Sequence, residues 1–131
     1  MKKILTAVSA IGLASMVHAQ TTWDLPTGYG VNTFQTQNVQ QFADDVEKLS
    51  GGKLKITLHP GGALFKQPEI KRSIQAGLVP AGEFIISGLS NENPVFGVDS
   101  IPFLATSYPA AKRLLDATKP VQGKVLAAQG V

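Results

Sequence analysis

Residues 51–88 read GGKLKITLHPGGALFKQPEIKRSIQAGLVPAGEFIISG, and this stretch decides the fold. Lys53 to His59 alternates, with Leu54, Ile56 and Leu58 on one face and Lys53, Lys55, Thr57 and His59 on the other, the pattern of a half-buried strand. Pro60-Gly61-Gly62 stops it. A helix is expected over Gln67–Ala76. Pro68 suits the first turn, where its missing N–H is not needed. Glu69 places an anion at the positive end of the helix dipole, Ile70 and Ile74 face inward, and Gly77 caps the end. Glu83 to Ser87 then carries Phe84, Ile85 and Ile86 in succession, as expected of a central strand covered on both faces. Strand, helix, strand makes a βαβ unit.

The segments on either side extend the same pattern. Thr21 to Thr27 (TTWDLPT) reads as a first strand in which Trp23 and Leu25 alternate with polar residues, ended by Pro26. Gly28-Tyr29-Gly30 is a tight turn. A helix is expected over Thr33–Leu49, capped by Asn32 or Thr33, with Phe34, Val39, Phe42, Val46 and Leu49 on its inner face. Ser50-Gly51-Gly52 ends it. Beyond the unit, Gly88–Pro94 is a polar loop and Val95–Leu104 is mixed. Two further helices are expected, one from Ser107 and one over Lys119–Gln129, with Val131 opening another strand. The order β-α-β-α-β-α-α indicates an α/β fold, a mostly parallel sheet with flanking helices. In such sheets ligands bind at the carboxyl ends of the strands, here Thr27–Thr33, His59–Gln67 and Gly88–Pro94.

Composition narrows the compartment. The 131 residues are 44% hydrophobic and 16% charged, ordinary for a globular protein. The first 19 differ. Lys2 and Lys3 precede an uncharged apolar run from Ile4 to Val17, and Val17-His18-Ala19 offers a cleavage pattern after Ala19. Residues 1–19 therefore read as a secretory signal peptide, with an apolar run too short for a spanning helix. Removing Lys2 and Lys3 leaves ten basic residues against nine acidic ones, a net charge of +1 rather than +3. No basic patch interleaved with aromatics remains, which argues against nucleic acid as a partner. No second apolar run follows, so the mature protein is expected to be soluble, without direct membrane insertion. There is no cysteine, which excludes disulfides, thiolate nucleophiles and cysteine metal sites.

Catalytic patterns are weak. Gly28-x-Gly30 lacks the third glycine of a dinucleotide fingerprint, since position 33 is threonine, and no acidic residue ends the second strand. It reads as a turn whose backbone comes close to something. His59-Pro60-Gly61-Gly62 resembles a glycine-rich oxyanion loop, but no G-x-S-x-G elbow accompanies it, and His59 is the only histidine outside the leader. Asp44, Asp45 and Glu47 read as the solvated face of a helix, and Asn91, Glu92 and Asn93 as loop chemistry rather than a cation site. No catalytic residue, metal or cofactor is expected. An exported α/β hydrolase and an interaction module without a small ligand are the alternatives from other classes.

SGGKLKITLHPGGALFKQPEIKRSIQAG followed by NENPVFGVDSIPFLATSYPAAKRL resembles the solute-binding subunits of tripartite ATP-independent periplasmic (TRAP) transporters, of the dicarboxylate-binding type. Ser50-Gly51-Gly52 before the alternating strand and Pro102-Phe103-Leu104 after the polar loop carry most of the likeness. It implies a periplasmic, type II-like two-lobe protein that closes on a small organic acid and hands it to membrane permease subunits driven by an ion gradient. Residues 20–131 would form its first lobe. Family members are more than twice as long, and their carboxylate-pairing arginine belongs to the second lobe, so the resemblance implies an N-terminal fragment. Arg72 and Arg113 are expected on helix surfaces instead. The resemblance places Thr27, Gly28 and Tyr29, and the neighbourhood of Ser87 and Gly88, at the cleft, with Tyr29 as an apolar wall. A ligand-contacting glutamate of sialic-acid-binding relatives is not matched. Asn32, Asn91 and Glu92 lie in the same strand-end loops and complete the candidate set.

Overall fold

The computed structural model describes residues 19–131. The expected leader lies outside the described residues, Ala19 excepted. In chain order the elements are β1 (Thr21–Pro26), α1 (Phe34–Leu49), β2 (Leu54–His59), α2 (Gln67–Gln75), 3-10 turns at Ile86–Leu89 and Pro94–Ser100, and α3 (Tyr108–Ala128). The expected βαβα run is therefore present from Thr21 to Gln75.

β1 and β2 pair in parallel, from Thr21 opposite Leu54 to Pro26 opposite His59. Alternation sends Trp23 and Leu25 of β1, and Ile56 and Leu58 of β2, toward α1. Leu25, Ala43 and Ile56 form the buried centre, with Val39, Val46 and Ala81 packed around it. Burying side chains the size of Leu25 and Ile56 contributes about 1.5–3 kcal/mol each.

The ends of α1 are set locally. Thr33 is the N-cap, its hydroxyl accepting from the Thr36 N–H. At the other end the Gly52 N–H donates to the Glu47 carbonyl (2.8 Å) and the Gly51 N–H to Lys48 (3.1 Å). This Schellman pattern needs left-handed backbone, here φ 63° and 78° at the two glycines, which costs glycine nothing sterically. At the start of α2 the Glu69 carboxylate accepts from the Lys66 N–H at 2.9 Å.

Four expectations change. The inner face of α1 is Thr36, Val39, Ala43 and Val46, whereas Phe34, Phe42 and Leu49 are exposed. Ala43 is buried against Leu25 and Ile56 of the sheet, and the larger Phe34, Phe42 and Leu49 are turned to the rim and outer face. The third strand shrinks to one parallel bridge between Thr27 and Glu83. After Thr27 the chain enters the Gly28–Tyr29 turn, and residues 84–87 pair with no strand among the described residues. They close 3-10 turns instead, the Gly88 N–H donating to the Ile85 carbonyl and Ser90 to Ser87. Ile85 is accordingly exposed rather than covered.

The last two expected helices are one, running through Pro120. A proline removes one ladder donor, and the turn before it is secured by the Thr118 hydroxyl donating to the Leu114 carbonyl at 2.8 Å. Only Gln122 of α3 is buried, and its amide donates to the Val95 carbonyl. That bond ties α3 to the turn that buries Phe96. Val131 lies in no strand, and its N–H donates back to the Leu126 carbonyl.

Candidate functional site

The carboxyl end of β1 is a junction of four segments, with Thr27 at its centre and fully buried. Its N–H donates to the His59 carbonyl (3.0 Å) and its carbonyl accepts from the Gly62 N–H (2.9 Å). Its hydroxyl donates to the Glu83 carboxylate and accepts from the Tyr29 N–H. Threonine fits because a short β-branched side chain offers a donor and an acceptor without leaving strand geometry. All these groups are committed within the protein, and Thr27 has no exposed surface to offer a ligand.

The His59–Gln67 loop clamps the first turn. The Gly61 N–H donates to the Tyr29 carbonyl at 2.7 Å, which also accepts from the Thr36 hydroxyl. Gly61 and Gly62 have φ near +67° and +69°, the left-handed backbone that aims both amides at the turn. With both amides bonded this way, the glycine pair is not an oxyanion hole. His59 reaches across to Asp24, ring nitrogen to carboxylate, at 2.7 Å.

Gly28 meets the start of α2. A β-carbon there would stand 2.0 Å from Gln67 Oε1 and 2.8 Å from Gln67 Cβ, so only glycine allows this approach. The Gln67 carboxamide itself is buried with neither its oxygen nor its nitrogen hydrogen-bonded. The same residue lines a cavity of about 220 Å³ between α2 and residues 84–89, with Pro68, Lys71, Phe84, Gly88 and Leu89. A second hollow, of about 410 Å³, lies along α1 against Leu58 and Pro60. Although larger, it contains no buried unpaired polar group.

The expected site residues therefore separate. Gly28, between Thr27 and Tyr29, packs against Gln67, and Gly88, next to half-buried Ser87, lines the cavity that Gln67 also lines. Asn32 and Asn91 are exposed. Glu92 pairs with Lys71, whose side chain is only 10% exposed. That contact ties the polar loop to α2. Among the described residues, no three His, Cys, Asp or Glu side chains converge on a possible metal position.

Sequence reasoning passed over Gln67, Lys71 and Glu83. Gln67 ends a loop already marked as a strand-end loop, and a polar side chain just before the helix-starting Pro68 was the available signal. Lys71 and Glu83 carried none, since their partners lie 21 and 56 residues away.

Residues 27–129 match the model of the bacterial extracellular solute-binding proteins, family 7. Among curated proteins, the chain is 35% identical over 85 residues to the C4-dicarboxylate-binding protein DctB of Bacillus subtilis, covering 65% of this chain and 24% of that one. Among solved structures it is similar to DctP6, a Bordetella pertussis extracytoplasmic solute receptor binding pyroglutamic acid. The two share 49% identity at a TM-score of 0.82, over 84% of this chain and 36% of that one. It is also similar to a marine metagenome TRAP solute-binding protein specific for pyroglutamate. There the identity is 45% and the TM-score 0.81, over 85% of this chain and 37% of that one. The chain thus spans about a quarter of the curated relative and just over a third of each solved structure.

Proposed function

Since this chain belongs to the bacterial extracellular solute-binding proteins of family 7, we propose that it supplies the first lobe of a periplasmic TRAP receptor for a small organic acid. Pyroglutamate is the preferred candidate. The observation that carries this is the 49% and 45% identity to two pyroglutamate-binding receptors across nearly all of the described residues. The strand-end cavity is compatible with it, because 220 Å³ is less than the roughly 300–1,000 Å³ of a complete ligand site, as befits one wall of two.

The mechanism is capture rather than turnover. Gly28, Tyr29, Ser87 and Gly88 face the ligand from this lobe. A second lobe, borne by further sequence, brings the arginine that grips the carboxylate through two parallel hydrogen bonds. Ligand favours the closed form because only that form touches it from both sides. The closed receptor then docks on the membrane subunits of a TRAP transporter, and the leader places it in the periplasm.

Calorimetry of the complete receptor with L-pyroglutamate, succinate and L-gulonate tests this. A saturable, sub-millimolar affinity for one of these acids is expected, with pyroglutamate strongest. Residues 20–131 alone should show none. Silence toward every organic acid, or equally tight binding by residues 20–131 alone, would overturn it.

A further inference from the structure

We propose that Gln67 is the specificity residue of this lobe, reading the ring amide of a lactam acid; the proposal rests on the receptor function above. The polar groups around it have partners within the chain. The Thr27 hydroxyl meets the Glu83 carboxylate, the Gly61 and Gly62 amides meet the first turn, and Lys71 meets Glu92. The Gln67 carboxamide stands apart, with donor and acceptor both buried and unpaired. Buried polar groups without partners are uncommon and unfavourable, so the position needs an explanation.

Its surroundings supply one. The carboxamide rests against the α-carbon of Gly28, where a β-carbon could not be accommodated. The same side chain lines the 220 Å³ cavity, whose other walls include the apolar Phe84 and Leu89. In the resting position both amide atoms are shut off from solvent. On ligand binding, rotation about the outer bonds of the Gln67 side chain would turn the carboxamide from Gly28 toward the cavity it lines.

The group it meets there is defined by chemistry. A ring closes a lactam in the cis form, so its N–H and C=O lie side by side. A primary carboxamide presents its own N–H and C=O in the same way. The two associate through a pair of parallel hydrogen bonds, Nε2–H to the lactam oxygen and lactam N–H to Oε1. An ionised carboxylate accepts from Nε2 but repels Oε1, and a hydrocarbon ring satisfies neither. The methylenes of a five-membered lactam would rest on Phe84 and Leu89.

The test compares L-pyroglutamate with cyclopentanecarboxylate, the same ring size and carboxylate without the amide, by calorimetry on the complete receptor. The unaltered protein should prefer L-pyroglutamate by roughly 100-fold, because a site built for an amide rejects analogues that leave its polar groups unpaired. In Gln67→Met that preference should collapse toward unity, through weaker pyroglutamate binding and a release of the penalty against cyclopentanecarboxylate. The melting temperature of the ligand-free variant should hold or rise, since methionine fills the space and removes two unpaired polar atoms. Gln67→Glu keeps the length of the side chain, and should lose the same preference; it decides the matter if the methionine variant does not fold. Retention of pyroglutamate binding within threefold in a folded variant, or equal loss of both ligands, would overturn the proposal. If the unaltered receptor ignores pyroglutamate but binds succinate or L-gulonate, this proposal fails and the receptor function stands. Binding of no organic acid removes both.

Discussion

From Thr21 to His59 each strand has a partner, and the helix between them covers the face that both strands present. From Glu83 to Ala128 the chain has more apolar residues and far less to set them against. Ile56 is 6% exposed in the first region, whereas Phe103 is 92% and Leu115 54% exposed in the second. The difference lies in how each region meets its backbone needs, since the region that buries less is the richer in apolar residues. A parallel strand must be paired along its length, and β1 provides a full row of partners for β2 but one bridge for Glu83. A long helix needs a surface beneath it, and α3 rests on the short turn around Phe96 through Gln122.

The comparison breaks if the two regions respond alike to truncation. Ile56→Ala should destabilise by about 2–5 kcal/mol, the usual range for emptying a core position. Leu115→Ala should stay within about 0.5 kcal/mol, as for other surface changes. Equilibrium denaturation of the two variants measures both.

Gly28→Ala asks whether the junction of the well-packed region tolerates one methyl group. The clash with Gln67 should cost about 1–3 kcal/mol, typical of overpacking. Shortening the opposing side chain in Gly28→Ala/Gln67→Ala should recover most of it. A double-mutant cycle that shows no coupling would remove the close approach from this account.

The two helix caps sharpen the contrast further. Thr33→Ala should lower global stability by about 1 kcal/mol, since α1 is bound to the sheet along its length. Ser107→Ala removes an equivalent cap, its hydroxyl accepting from Ala110, but from a helix anchored near its other end. Its effect should appear as faster amide exchange over the first turn of α3 with little change in the global transition.

The smallest effect is expected from the exposed Lys112–Asp116 pair, one turn apart on α3. Lys112→Ala should change stability by less than about 0.5 kcal/mol, and that difference should vanish at high salt. A larger effect would mean that α3 is more firmly seated than its exposure indicates.

Much of the first region was legible because its signals are local. Strict alternation marked β1 and β2. Thr33, the Gly51-Gly52 pair, Pro68 and Glu69 marked helix ends through contacts within five residues. The misreadings came from features that depend on partners elsewhere. Phe84-Ile85-Ile86 has the composition of a buried strand, yet strand formation needs a neighbour that composition cannot supply. Phe34, Phe42 and Leu49 fit a helical stripe, but tight packing at Ala43 selected the adjacent face. Pro120 read as a helix start because sequence cannot show that the flanking turns are held. At the candidate site, Thr27, Gly28 and Gly88 lie in the strand-end loops and Ser87 was placed by the family resemblance, whereas Lys71 and Glu83 carried no signal of either kind.

The sequence by itself determined the βαβα order, the parallel pairing of the first two strands and the ends that carry loops, because periodicity and capping act over a few residues. It also carried the family resemblance, through motifs spread along residues 50–104. The tertiary structure alone decided that the third strand would shrink to one bridge, that Glu92 would pair with Lys71, and that an unpaired carboxamide would rest against Gly28. Each of those depends on where distant backbone comes to lie, which alternation and capping do not encode.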